Sequence, residues 1–119
     1  MYTYNAQLQR VVDGDTVDVI IDLGFSLKYK CRVRLLGINA PESRTRDLEE
    51  KARGLAAKKR LGELIGDGDL IIRTFLDKKG KYGRLLAEIF RAENFGPPPD
   101  NKCVNDIMLE EGHAVPYPR

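Results

Sequence analysis

The sequence predicts an α+β fold that is mainly β. Five segments have the composition and alternation of strands, a long segment after the third has helical spacing, and a shorter helical segment lies near the end of the chain. A small barrel accommodates five short strands, one inserted helix and one closing helix more economically than a sandwich does. We therefore expect a five-stranded OB-fold barrel with a helix after the third strand and a short C-terminal helix.

The first two strands are predicted on either side of a tight turn. Residues 4–12 have the composition of a β segment, and Asp13-Gly14-Asp15 is typical of the connection between adjacent strands. Apolar and polar residues then alternate over residues 16–23, which indicates a half-buried strand. Asp15 has the parity of the apolar residues, so its carboxylate is expected at the rim of the core. The core face of this second strand should carry Val17, Val19, Ile21 and Leu23.

The third strand is predicted over residues 28–38. Its core side should carry Tyr29, Cys31, Val33 and Leu35. Its other side carries a row of basic residues with no acidic residue among them, namely Lys28, Lys30, Arg32 and Arg34. Because Pro41 cannot donate to a sheet ladder and favours an extended Ala40, we expect the strand to give way to a loop.

A helix is predicted over about residues 49–65, ended by Gly66-Asp67-Gly68. Residues 69–75 and 84–91 are predicted as the fourth and fifth strands, joined by a loop that contains two glycines. A second, short helix is expected over about residues 104–111, with a glycine after it. The apolar face of the long helix should carry Gly54, Ala57, Leu61, Leu64 and Ile65.

Composition and charge narrow the class of protein. The 119 residues suit a single domain, residues 1–119, that folds without needing disulfides or metal. The net charge of +2 argues against binding nucleic acid by bulk electrostatics, so local clusters of charge matter more. No apolar run approaches the ~18–20 residues of a membrane span, and the N-terminal residues lack the pattern of a secretory signal. We expect a monomer without membrane association, intracellular unless a signal has been trimmed.

The two cysteines and the single histidine share no metal-binding motif. Cys31 and Cys103 each lie in an apolar local pattern, and both are distant in sequence from His113. A zinc site is therefore not expected. Two reduced, buried thiols are favoured over a disulfide or a reactive nucleophile.

Acids, amides and arginines recur at the predicted ends of strands. Asp15 follows the first turn, and Arg34 lies late in the third strand. Asn39 and Glu42 flank the exit of that strand, and Arg84 opens the fifth. A barrel brings such strand ends to one rim. Carboxylate and amide oxygens suit a hard cation such as Ca²⁺, arginine suits phosphate, and a glutamate can take a proton from water, so the set is typical of phosphodiester hydrolysis.

Each motif also has a purely structural interpretation. Asp13-Gly14-Asp15-Thr16 is a common turn, and the basic row is typical of an edge strand protected against aggregation. Residues 81–84 have the composition of a hairpin tip. Their joint occurrence in one short chain favours a functional site.

In combination, the motifs resemble those of the thermonuclease family, the staphylococcal nuclease-like domains. The resemblance covers nearly the whole chain and rests on four motifs in the family's order, at residues 12–17, 33–42, 77–84, and 104–105 with 112–114. It implies an OB-fold barrel that hydrolyses DNA or RNA with Ca²⁺. Single strands are favoured as substrates because base stacking needs unpaired bases.

By this resemblance, three residues carry catalysis. Arg34 and Arg84 match the arginines that hold the scissile phosphate and stabilise its transition state. Glu42 matches the carboxylate that activates or orients the attacking water. Three further positions match residues that contact a bound nucleotide, namely Lys81, Tyr82 and Tyr117.

The resemblance also implies a Ca²⁺ site. Asp15 matches a direct ligand, and Ala40 matches a position whose backbone carbonyl completes the shell. Asn39 stands where the family usually has a second acidic ligand, and asparagine supplies an oxygen without charge. Because affinity for a hard cation depends on the number of charged ligands, we expect weakened Ca²⁺ binding.

A binding module is the alternative interpretation. If Asn39 marks a degenerate metal site, the domain would bind nucleic acid or a partner without cleaving it. Retention of Arg34, Glu42 and Arg84 together favours the nuclease, since a pure binder has no evident need for all three.

Overall fold

Five strands close into a barrel in the computed structural model, which describes residues 2–66, 69–76, 85–91 and 103–117. In chain order, the elements are β1 (Tyr2–Asp13), β2 (Thr16–Gly24), β3 (Leu27–Leu35), β4 (Ile38–Asn39), α1 (Leu48–Ile65), β5 (Asp69–Leu76), β6 (Leu85–Arg91), α2 (Val104–Glu110) and β7 (Val115–Pro116). The barrel order is β1-β2-β3-β6-β5, and β4 and β7 form a separate two-stranded sheet. The predicted fold, mainly β with a five-stranded barrel, a helix after its third strand and a short second helix, is confirmed.

Antiparallel pairing runs around the barrel except at one seam. β1 is the longest strand and pairs on both sides, so that Ala6 lies opposite Ile21 of β2 and opposite Leu70 of β5. β3 and β6 are parallel, with Val33 opposite Leu85. Parallel neighbours need a long crossover, and the chain from β4 through α1 and β5 supplies it. α1 consequently packs against the barrel and contacts β1.

Helix α1 lies within a residue of its predicted bounds. The Asp47 carboxylate accepts hydrogen bonds from the N–H groups of Glu49 and Glu50 at 3.1 and 3.4 Å, which caps the first turn. Gly66 ends the helix with a φ of 68°, a conformation that favours glycine. The predicted apolar face is buried at Gly54, Ala57, Leu61 and Ile65 and partly buried at Leu64.

The hairpin between β2 and β3 extends beyond the barrel core. The first three predicted core residues of β2 are buried, but Leu23 is 46% exposed and Tyr29 of β3 is 52% exposed. The prediction that these two residues face the core is wrong. β3 pairs with β6 only at residues 33–35. In the described structure, no strand therefore pairs with the outer half of β3 on the side away from β2.

The third strand ends earlier than predicted. β3 stops at Leu35, and Gly37 turns the chain with a φ of 80°, in the left-handed region that favours glycine. The chain then forms β4, in which Asn39 lies opposite Val115 of β7. This turn carries Asn39 and Ala40 toward the β1–β2 turn, where Ala40 makes a hydrogen bond to Asp15.

A buried asparagine fixes helix α2 to the barrel. Asn105 Nδ2 donates to the carbonyls of Leu36 and Ala87 at 2.9 and 3.0 Å, and its Oδ1 accepts the N–H of Ile89 at 3.2 Å. This amide, part of one of the four motifs, therefore has a structural role. Neither described helix is long and apolar enough to cross a membrane.

Both cysteines are free thiols, as predicted. Cys103 is buried, and burial raises the pKa of its thiol to about 11. Cys31 is only partly buried, because it lies where β3 leaves the core, so the prediction of two buried thiols is wrong for this residue.

Candidate functional site

Asp15 anchors the site at the β1–β2 turn. Its carboxylate is buried at the edge of the core, as the strand parity predicts. Oδ2 accepts the backbone N–H of Ala40 at 3.0 Å, and Oδ1 accepts the hydroxyl of Thr16 at 2.9 Å. These bonds hold the segment after β4 against the first turn of the chain.

Arg34 brings the predicted site residues together. Its Nη1 lies 3.6 Å from Asp15 Oδ2, and its Nη2 donates to Asn39 Oδ1 at 3.3 Å and to the Ile38 carbonyl at 3.3 Å. The guanidinium carbon lies 4.9 Å from the ring centre of Tyr117, a cation–π contact. The N–H of Tyr117 donates to the carbonyl of Gly37 at 2.9 Å, so the turn after β3 positions this ring. Four predicted residues, Asp15, Arg34, Asn39 and Tyr117, thus form one cluster.

Glu42 lies outside this cluster, and its environment is different. Its side chain is exposed, and within the described ranges its carboxylate has no hydrogen bond or ion pair. The next residue is fixed instead: Ser43 is buried and donates both its N–H, at 3.3 Å, and its hydroxyl to Asp13 Oδ1. The backbone beside Glu42 is therefore held to the β1–β2 turn, while the Glu42 carboxylate is bonded to none of the described residues.

The Asp13–Ser43 pair was not predicted from the sequence. The two residues lie 30 positions apart, and the sequence around each has no pattern that indicates a contact between them. The only available signal was their position next to predicted site residues, since Asp13 precedes the turn of Asp15 and Ser43 follows Glu42.

Two glycines allow helix α1 to approach the site closely. A Cβ atom on Gly54 would lie 2.2 Å from the backbone oxygen of Glu42, and one on Gly14 would lie 2.6 Å from Cβ of Ala57 and 2.9 Å from Cβ of Ala40. Such distances are far below van der Waals contact. The helix backbone therefore packs directly on the Glu42 loop, and α1 contacts both loops of the site.

Three predicted site residues, Lys81, Tyr82 and Arg84, lie outside the described residues. Their neighbour in the chain is described: Leu85 begins β6 and pairs with Val33, next to Arg34 in β3. Their predicted roles stay predictions.

The cluster contains two side-chain oxygens of the kind that bind a hard cation, and one of them belongs to a carboxylate. Asp15 Oδ2 and Asn39 Oδ1 both face the guanidinium of Arg34, so they converge on one point of positive charge. In donor type they fit Ca²⁺, with one negative charge between them. Within the parts of the chain that the structure describes, no three His, Cys, Asp or Glu side chains group to hold a metal.

The barrel and the charged cluster at its rim define a class of small OB-barrel domains, and comparison with known proteins gives the family. The model described as "Staphylococcal nuclease homologue" matches residues 32–119. The chain belongs to this nuclease family, and the resemblance inferred from the four motifs is confirmed. The match begins within β3, so the turn that carries Asp15 precedes it.

Curated relatives match nearly the whole chain. Protein ParB of Escherichia coli is 32% identical over 114 residues, covering 93% of this chain and 56% of ParB. Endonuclease YncB of Bacillus subtilis (strain 168) is 34% identical over 111 residues, covering 92% of this chain and 46% of YncB. SPbeta prophage-derived endonuclease YokF, from the same organism, is 34% identical over 108 residues, covering 90% and 32%. The chain thus spans about half or less of the length of these relatives.

Proposed function

We propose that this domain is a nuclease that hydrolyses phosphodiester bonds in DNA or RNA, with single strands favoured. The observation that carries the proposal is the cluster in which Arg34 contacts Asp15 and Asn39, close in the chain to Glu42, an exposed glutamate. Two relatives bear the name endonuclease, which supports the same reaction class.

The reaction follows from the chemistry of these side chains. The Glu42 carboxylate takes a proton from water, and the water oxygen attacks phosphorus as the bond to the leaving oxygen breaks. Arg34 donates hydrogen bonds to the phosphate oxygens on which charge develops. The leaving oxygen takes up a proton from solvent, and Glu42 releases its own proton to solvent.

The remaining predicted residues complete the binding of substrate. By the family resemblance, Arg84 supplies a second guanidinium to the phosphate, and Lys81 and Tyr82 contact the terminal phosphate. The Tyr117 ring is in contact with Arg34, which supports a role beside the sugar or base of the bound nucleotide.

Ca²⁺ is the cofactor that this proposal includes. Asp15, Asn39 and the carbonyl of Ala40 would hold the ion, and bound Ca²⁺ would offset negative charge on the phosphate. The single carboxylate supports weak affinity, strengthened when substrate phosphate adds oxygens and charge.

A nuclease assay on heat-denatured DNA, with Ca²⁺ and then with EDTA, tests the proposal. We expect cleavage that requires Ca²⁺. If Mg²⁺ or Mn²⁺ supports cleavage and Ca²⁺ does not, the calcium assignment is wrong. If no divalent cation supports cleavage of DNA or RNA, the nuclease assignment is wrong.

A binding module is the second candidate. The observation that favours it is the bond from Arg34 to Asn39, in which an uncharged side chain occupies the position of a second acidic ligand. Under this interpretation the chain binds a labelled single strand in the presence of Ca²⁺ and leaves it intact.

A further inference from the structure

The outer part of the β2–β3 hairpin, residues 23–30, forms an arm that leaves the barrel. Its large apolar side chains are exposed to an unusual degree, from 46% at Leu23 to 98% at Phe25, with Leu27 and Tyr29 between them. Exposed apolar side chains grouped on one segment commonly mark an interaction site. The proposed cleavage reaction assigns no role to this arm.

The tip of the arm presents Phe25 in a conformation that phenylalanine rarely adopts. Phe25 has a φ of 54° and Ser26 a φ of 63°, both in the left-handed region. For a bulky residue this conformation is unfavourable. Since the ring is also almost fully exposed, neither local conformation nor packing explains an aromatic residue at this position.

A basic row connects the arm to the site. Lys28, Lys30, Arg32 and Arg34 lie opposite Asp22, Ile20, Asp18 and Thr16 of β2 without a break in register, so their side chains share one face of β3. Alternate residues of a strand lie about 6.4–6.8 Å apart. This spacing is comparable with that of successive phosphates in an extended single strand.

The charges facing this row leave the arm positive. Asp18 is shared by two arginines, with Arg32 Nε at 2.9 Å and Arg10 Nη2 at 3.5 Å. The hydrogen bond from Arg32 lowers the pKa of Asp18, which keeps it ionised. The other carboxylate of β2 on this face is Asp22, which lies opposite Lys28 and accepts the N–H of Gly24 at 2.8 Å. These two carboxylates face the four basic residues of the row, so the face keeps a net positive charge.

The two lysines of the arm lie at the outer end of this positive face. Among the described residues, neither Lys28 nor Lys30 forms an ion pair. Both are exposed.

We propose that the arm binds the single-stranded substrate beyond the cleaved bond, with phosphates along Lys28 and Lys30 and an unpaired base stacked on Phe25. The inference rests on the proposed function for the identity of the ligand. Charge favours this occupant over a second copy of the chain, because arms that carry only positive charge repel one another. An aromatic side chain beside unpaired lysines suits single strands, whose bases are free to stack.

Binding without cleavage tests the arm directly. Fluorescence anisotropy in EDTA, with a labelled oligothymidylate of about 16 nucleotides and with a dinucleotide, would compare wild type with Phe25→Ala and Lys28→Gln/Lys30→Gln. The matched controls are Leu48→Ala, an exposed apolar residue at the start of α1, and Lys51→Gln/Lys59→Gln, two exposed lysines of the same helix.

We expect Phe25→Ala to weaken binding of the long oligomer about fivefold or more, the lower end for loss of one stacked base. The double lysine variant should reduce the slope of log affinity against log salt by about 1.4, from ~0.7 for each phosphate contact of a single strand. Neither variant should change binding of the dinucleotide, and the control variants should match wild type for both ligands.

Two results would overturn the arm as a substrate-binding surface. The first is unchanged affinity and unchanged salt slope for the long oligomer in both arm variants. The second is a dimer in sedimentation equilibrium that Phe25→Ala dissociates while oligomer binding stays at wild-type strength, which would assign the arm to a second copy. Because these measurements need no cleavage, arm-dependent binding supports the arm even if the nuclease assay fails, and arm-independent binding leaves the nuclease assignment untouched.

Discussion

The rim cluster and the hairpin arm lie on the same strand, β3, but hold their charges in different ways. At the rim, Arg34 is engaged by a carboxylate, an amide oxygen, a backbone carbonyl and an aromatic ring. On the arm, Lys28 and Lys30 are exposed and form no ion pair among the described residues. A guanidinium that donates hydrogen bonds to one phosphate must have a fixed orientation, whereas binding a polyanion requires only positive charges within reach of its phosphates. Under the two proposals made above, one strand thus carries both kinds of basic residue.

Removing the exposed carboxylate of Glu42 should have the largest effect. Glu42→Gln keeps the side-chain shape but removes the proton acceptor, so we expect kcat on denatured DNA to fall by about 10²–10⁴-fold with oligomer affinity unchanged. Glu49→Gln, an exposed glutamate at the start of α1, is the control and should keep wild-type kcat. Equal kcat for Glu42→Gln and wild type would remove Glu42 from the mechanism.

Exchanging arginine and lysine tests the difference between the rim and the arm. Arg34→Lys keeps the charge but loses the fork of donors, and we expect kcat to fall on the order of 10²-fold, as when one electrostatic donor at a developing charge is lost. Lys30→Arg on the arm should leave kcat and oligomer affinity near wild type. If both exchanges have similar effects on kcat, the rim and the arm do not differ in whether catalysis requires a guanidinium.

Displacing the backbone at Glu42 by a substitution in α1 should have a smaller effect on kcat. A Cβ on Gly54 meets the Glu42 carbonyl, so Gly54→Ala should destabilise the domain by about 1–3 kcal/mol. It should also lower kcat about tenfold or more through misplacement of Glu42, without altering arm-dependent binding.

Gly62 in the same helix is the matched control. A Cβ there would meet only Val11 Cγ2, at 3.9 Å, so Gly62→Ala should stabilise the domain by about 0.5–1 kcal/mol. Urea unfolding and steady-state kinetics on both variants check the pair. Wild-type kcat in Gly54→Ala would show that the contact with α1 does not position Glu42.

The smallest effect is expected from Asn39→Asp. The substitution adds a carboxylate with almost the same shape, so Ca²⁺ affinity should rise on the order of tenfold. Because Arg34 already donates to this side chain, the gain should be larger when a nucleotide bisphosphate is bound and draws the guanidinium to its phosphate. Calorimetric titration with and without the nucleotide measures both conditions. Identical Ca²⁺ affinity in mutant and wild type would contradict a metal-binding role for this position.

Strand parity and capping residues predicted most of the fold. Alternation in β2 and β3 identified Val17, Val33 and Leu35 as core, and Gly66 marked the end of α1. The same alternation misassigned Leu23 and Tyr29, because parity shows which side of a strand a residue lies on and not whether another layer covers that side. The two-residue pair of β4 and β7 is too short to leave a periodic pattern.

The site was predicted through motifs, and only in part. The motifs identified Asp15, Arg34 and Asn39, and the family resemblance added Tyr117 from outside the four motifs; in the structure Arg34 contacts the other three. The Asp13–Ser43 pair escaped prediction, because it joins two loops that only the folded barrel brings together. The close approach of Gly54 escaped for the same reason, since a glycine in a helix carries no sign of what packs on it.

The short sheet of β4 and β7 has a consequence for the timing of assembly. It joins residues near the first third of the chain to residues that follow α2, and it holds the Tyr117 ring over Arg34. Since a ribosome releases the chain from its N-terminal end, Asp15 and Arg34 emerge long before Tyr117 does. The cluster around Arg34 therefore stays open on the side of Tyr117 until β7 has paired with β4, and a nascent chain can complete the barrel before it completes this cluster.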